Sequence, residues 1–195
     1  MKDTLLIELH HAPLLFYFDL IKQYPNLLLE IQEEFPKQTL RNRTYILTAN
    51  KIQMLSVPVM KENKAKSKDI KIDYSQTWLR DHTRAITSAY KHAPYFDYCF
   101  PYYEEIYNKR HTFLLDLNLE ILQLSLRILK LRVNVDITEF YVRENTNNAI
   151  HNARSLHQNM APDDPNTFLQ AYTQLFGSKF ISNLSIFDYI FNNGL

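Results

Sequence analysis

Apolar positions follow two rhythms along the chain, and the switch between them falls near residue 75. In the first half, Thr4 to Leu9 (TLLIEL) is a compact apolar run of strand length. Pro13 then takes a first-turn position ahead of LLFYFDLIKQY, which predicts a helix. NLLLEIQ, from Asn26 to Gln32 behind the breaker Tyr24-Pro25, predicts a buried strand parallel to the first, completing a β-α-β unit. TYILTAN and KIQMLSVPV, separated by Asn50-Lys51, predict a hairpin whose ladder ends at Pro58. DIKIDY alternates Ile70 and Ile72 with polar neighbours and predicts a further strand.

From Trp78 the period becomes helical, because Trp78, His82, Ile86 and Tyr90 recur every four residues. Ser75 or Thr77 can cap this helix, and Pro94 follows its end. A second helix is expected to begin around Pro101, and HTFLLDLNLEILQLSLRILKL predicts a deeply buried third, its leucines covering more than one face. RVNVDITEF alternates and reads as a late strand, RENTNNAIHNARSLHQNMAPDDPN as a long polar loop, and the tail from Thr167 as helical again, with Asn183 as a candidate cap. These elements predict one α/β domain over residues 1–195, a mixed β-sheet with flanking helices.

Composition narrows the chemistry. The formal charge is +1, from 22 basic and 21 acidic side chains, so no global field draws in a polyanion and nucleic acid is not an expected partner. The basic run from Lys61 to Lys68 has no aromatic interleaving and reads as a solvated loop. Cys99 is the only cysteine, which excludes an intramolecular disulfide and a thiolate metal cage, and no metal site is expected. Glycine occurs only at 177 and 194, which excludes a phosphate loop and a dinucleotide fingerprint. The apolar run at the N-terminus is too short for a signal peptide and no window suits membrane insertion, so a cytoplasmic location is expected.

The candidate site residues are polar groups in apolar or extended surroundings. In RNR, Arg41 and Arg43 share one face of an extended segment while Asn42 points the other way, and two guanidinium forks on one face suit a phosphate or carboxylate. A basic strand entry would read the same. His10 and His11 stand at the expected strand-to-helix turn, where free N–H groups favour an anion. His82 shares its helical stripe with Trp78 and is the acid-base candidate, unless it is a core histidine bonded to backbone. Asp116 and Asn118 interrupt an apolar helix, so at least one needs a specific partner; Asn183, Ser185 and Asp188 stand among apolar residues, where capping would explain them equally well.

Taken together, RNRTYI, LSVPV, Trp78 with His82, AYKHAPYF, FLLDLN and FISNLSIFDYIFNNG resemble the WbqC-like family over nearly the whole chain. The tail is similar to that of the Bacteroidetes-type branch, with Ser182 where proline is usual, whereas the turn HHAP departs from the family's pattern. The resemblance puts Asn42, Arg43, Trp78, His82, Asp116, Asn118, Asn183, Ser185 and Asp188 at motif positions. It implies a role in O-antigen-type surface-polysaccharide assembly. The leading expectation is an enzyme transferring an acyl or aminoacyl group to an activated sugar, with Arg41 and Arg43 holding the anionic part of a nucleotide-sugar, Asn42 orienting the acceptor and His82 moving the proton. A nucleotidyl-transfer or nucleotide-binding enzyme and a non-catalytic protein recruiting glycan enzymes remain open beside it; cofactor and oligomeric state are left unassigned.

Overall fold

The computed structural model describes residues 2–36, 38–60, 63–143, 149–154, 161–164 and 169–194. Strand β1 (Thr4–Glu8) leads through the turn at His10 to Pro13 into helix α1 (Leu15–Ile21), and β2 (Asn26–Glu30) returns beside β1 in parallel. Leu5, Leu6, Ile7, Leu27 and Leu29 are fully buried, because a parallel sheet is covered on both faces and its strands are apolar throughout. The late strand β5 (Asn134–Ile137) adds to β2, and β6 (Ile150–Asn152) adds to β1, giving a four-stranded parallel sheet in the order β5-β2-β1-β6. All four strands therefore present their carboxyl ends on one edge.

The RNR segment opens a separate antiparallel hairpin, β3 (Arg43–Leu47) and β4 (Ile52–Ser56). The expected mixed sheet is thus two sheets, one parallel and one antiparallel. Asn42 starts the hairpin: its carbonyl accepts from Val57 N at 2.8 Å and its side-chain amide donates to Val57 O at 2.9 Å. Helices α2 (Trp78–Tyr90), α3 (Phe96–Asn108) and α4 (Leu114–Ile128) share one hydrophobic core with both sheets, α2 packing on β3 and α3 on α4, and α5 (Ile186–Asn193) closes the core against α3 and β3.

Several elements differ from the pattern-based reading. DIKIDY makes only isolated bridges, Val59 to Ile72 and Lys71 to Phe113, beside a single 3₁₀ turn at Ser67–Asp69. Helix α3 begins at Phe96 and carries Pro101 inside it, at an exposed position where water can satisfy the carbonyl left without its N–H partner. The polar stretch after residue 143 contains β6, whose pairing is dictated by β1 and not by its own pattern. Among the described residues of the tail only the last turns are helical, capped by Ser185, whose Oγ accepts from Phe187 N at 3.3 Å.

Candidate functional site

The C-terminal tail builds the histidine turn. Ala12, buried and at φ 38°, offers its carbonyl to two hydroxyls, Thr44 Oγ1 at 2.7 Å and Ser185 Oγ at 3.2 Å. Leu15 N donates to Leu184 O at 2.9 Å and Phe16 N to Asn183 Oδ1 at 3.2 Å, so these N–H groups at the start of α1 are already taken by the tail. Asp188 accepts from Tyr90 Oη at 2.9 Å, Tyr172 Oη at 2.7 Å and Gln174 Nε2 at 2.9 Å. Its pKa is raised by burial, against which the three donors pull. Asn183, Ser185 and Asp188 are thereby engaged inside the fold, behind the turn that presents His10 and His11.

His11 enters a chain of hydrogen bonds that assigns every proton in it. Asn118 Nδ2 donates to Arg41 O at 2.7 Å, which orients the amide and leaves Oδ1 to accept from His11 Nδ1 at 2.9 Å. His11 Nε2 then accepts from Tyr107 Oη at 3.2 Å. Asn118 is the buried member of the pair in α4, and Asp116 is exposed. Burial, with His82 nearby, lowers the His11 pKa to about 3, so the ring is neutral.

His82 lies beside it, ring centroids 6.0 Å apart, on the buried stripe with Trp78, Ile86 and Tyr90. His82 Nε2 donates to the backbone carbonyl of Ser56 at 3.1 Å, the bond a core histidine would make. The other nitrogen is different: Nδ1 is buried, carries the lone pair and has no partner. Burial lowers this pKa to about 4, opposed by the Ser56 carbonyl and by Asp81. Trp78 packs edge-on at 5.0 Å with its buried Nε1–H also unpartnered, Tyr107 packs edge-on at 6.3 Å, and the Asn42 Oδ1 atom is a third buried group without a partner.

A second cluster occupies the carboxyl ends of β1 and β2, where the last residues, Glu8 and Glu30, are register partners and both fully buried. Glu30 is fully bonded: Oε1 accepts from Thr138 Oγ1 at 3.0 Å and Gln32 N at 2.8 Å, Oε2 from Val142 N and Arg154 Nη1, each at 3.2 Å. Arg41, only 5% exposed, gives its Nε to Glu33 Oε1 at 2.9 Å, its Nη2 to the same oxygen, and lies 3.6 Å from Glu8 Oε1. His10 Nε2 sits 3.5 Å from Glu8 Oε1, and burial together with Arg41 lowers the His10 pKa to about 3. The Glu33 carboxyl is pushed up by burial, with Arg41 pulling the other way.

The space next to Arg41 is a cavity of about 20 Å³ lined in part by Glu30, Arg41 and Asn118, room for one water. An anion at this fork would have to displace Glu33 and Glu8. Arg43 is only partly buried; Nη1 donates to Gln38 O at 3.3 Å, and its Nε is buried without a partner. The two arginines of RNR thus have different surroundings, one closed among carboxylates and the other partly open.

The structure brings His10, His11, Arg41, Asn42, His82 and Trp78 into connected surroundings. It adds Glu8, Glu30, Glu33, Arg154 and Tyr107, which the sequence reading did not single out. A signal for two of them was present: both buried apolar strands, TLLIE and NLLLE, end on a glutamate. Among the described residues no group of His, Cys, Asp and Glu is placed to hold a metal, and no helix is long and apolar enough to cross a membrane.

Comparison with known proteins places this geometry in a family. The model of the WbqC-like protein family matches residues 10–166, which takes in both clusters except Glu8. A protein of Mycobacterium tuberculosis (strain ATCC 25618 / H37Rv), named "Uncharacterized protein Rv1507c", is 30% identical over 128 residues, covering 63% of this chain and 54% of that protein. The chain thus spans about half the length of this relative. No solved structure matches.

Proposed function

Because the chain belongs to the WbqC-like protein family, we propose that it is a cytoplasmic enzyme of surface-glycan assembly that transfers an acyl or aminoacyl group to a hydroxyl or amine of an activated sugar. The observation that carries this reading is the His82 Nδ1 lone pair, buried, unprotonated and unpartnered beside the unpartnered Trp78 N–H. A buried acceptor without a donor costs about 1–3 kcal/mol, a cost that substrate binding recovers. The acceptor's O–H or N–H supplies the missing donor. As its oxygen or nitrogen bonds to the acyl carbon, the proton passes to Nδ1, the bond to the leaving group breaks, and the proton returns to that group. His82 is held for this by the Ser56 carbonyl, and His11 by Asn118 and Tyr107. With Arg41 occupied by Glu33, the anionic part of a nucleotide-sugar falls to the partly open Arg43.

The test is a thermal-shift screen with nucleotide-sugars, followed by mass spectrometry of sugar and acyl-donor mixtures. A ligand at 100 times its Kd is expected to raise the melting temperature by roughly 5–10 °C. His82→Gln is expected to bind the same sugar and transfer nothing. If no nucleotide-sugar moves the melting point at millimolar concentration, the reading fails.

A further inference from the structure

We propose that residues 138–142, directly after β5, form a stacking subsite for the nucleobase of a nucleotide-sugar; this rests on the substrate class proposed above. The segment turns large apolar groups outward: Phe140 is 79% exposed, Tyr141 53% and Ile137, at the end of β5, 48%. Burying a phenylalanine ring is favourable, and three large apolar side chains held in water together on a well-anchored segment make a surface suited to a partner outside the fold.

The anchoring is extensive. Thr138 N donates to Leu29 O at 3.0 Å, Thr138 Oγ1 donates to Glu30 Oε1 at 3.0 Å and accepts from Ile31 N at 3.2 Å, and Thr138 O accepts from Gln32 Nε2 at 3.2 Å. At the other end Val142 N donates to Glu30 Oε2 at 3.2 Å. Both ends of the segment are thus tied to the carboxyl end of β2, where ligands of parallel sheets bind. Arg154 completes the arrangement: Nη1 holds Glu30 at 3.2 Å while the guanidinium carbon lies 5.1 Å from the Tyr141 ring centroid. The cation fixes Tyr141 and leaves half of it open, so a flat ring meets a prepared surface at little ordering cost. A planar base overlaps an aromatic face better than a puckered pyranose does, and such stacking tolerates any base because each has a flat face.

Saturation-transfer NMR on the full chain tests this, using UDP-, dTDP-, GDP- and CMP-linked sugars as probes and N-acetylglucosamine 1-phosphate as the base-free control. Saturation is expected to reach the base protons of at least one probe. Phe140→Ala with Tyr141→Ala is expected to raise its Kd about tenfold or more while the unliganded melting point stays in place. The subsite is overturned if no base proton receives saturation, if the base-free control binds equally well, or if the double variant binds unchanged. It is equally overturned if wild type is a dimer on gel filtration and the double variant a monomer, since a second copy would then cover the rings. Failure of the transfer reading looks different: bases bind at Phe140 and Tyr141, yet wild type forms no product. Conversely, product formation by the double variant with an unchanged KM sinks the subsite alone.

Discussion

Two buried polar regions lie side by side behind the carboxyl edge of the sheet, and they solve burial in opposite ways. Around His82 and His11 the protein removes charge: both imidazoles are neutral, and each nitrogen but one is matched by a neutral partner. Around Glu8, Glu30 and Glu33 it keeps charge and matches it with Arg41 and Arg154. The difference separates candidate roles. A charge-paired cluster resists an incoming ion, whereas a neutral cluster with one lone pair open can accept a proton or a donor.

The largest effect that sharpens this contrast is on acid stability. His10 and His11, at about 3, and His82, at about 4, all titrate below the ordinary 6.5. The unfolded chain therefore binds more protons; their stabilisation is fully present above about pH 6.5 and is lost as pH falls toward the folded values. Each histidine contributes a loss of about 1.4 kcal/mol per pH unit in that window. Glu33, raised by burial, opposes this, because its share is present at low pH and is lost as pH rises. Against a total stability of about 5–15 kcal/mol, circular dichroism is expected to show unfolding by roughly pH 4–5. Stability that stays flat from pH 7 to 5 would mean the imidazoles are solvated.

Next in size is the charge-paired side. Glu30→Ala leaves Arg154 without its carboxylate and strips acceptors from Gln32 N, Val142 N and the Thr138 hydroxyl, so a loss of about 3–5 kcal/mol is expected in urea unfolding. Raising salt should change wild-type stability little, because a buried pair is screened far less than a surface one. A loss under 1 kcal/mol would place Glu30 in water.

Much of this division was open to a reader of the sequence, and the exceptions have physical causes. The β-α-β start, the hairpin and the buried helical stripe of Trp78, His82, Ile86 and Tyr90 follow from periodicity, which local burial writes directly into the chain, whereas β5 follows from alternation alone, since none of its residues is buried. Strand β6 was missed because a three-residue edge strand is dictated by its neighbour β1 and carries no pattern of its own. The tail misled in a similar way. Residues before Ser185 show helical spacing, yet they spend their backbone on the histidine turn, as when Leu184 O receives Leu15 N. Spacing placed Arg41 and Arg43 on one face, but it could not show that Glu33, eight positions before Arg41 in the chain, folds back onto its guanidinium.

Asn118→Ala acts on the neutral side and should cost less than Glu30→Ala, about 2–3 kcal/mol, since it leaves His11 Nδ1–H and the Arg41 carbonyl unsatisfied. NMR of the imidazole nitrogens should show the His11 tautomer becoming mixed, a readout that mere loss of packing would not produce. A ring that keeps one tautomer in the variant would mean Tyr107 alone holds it.

Arg43→Ala is the smallest change expected and the one that splits the RNR motif. Its side-chain hydrogen bond, Nη1 to Gln38 O at 3.3 Å, is exposed, and the side chain is only half-covered, so unfolding stability should move by no more than about 0.5 kcal/mol. Arg41→Ala, by contrast, strips Glu33 of its counter-charge and should cost clearly more in the same measurement. Under the transfer reading, Arg43→Ala also weakens nucleotide-sugar binding while the melting point without ligand holds. Equal destabilisation by the two substitutions would mean that Arg43, like Arg41, is held by the fold and not kept for a ligand.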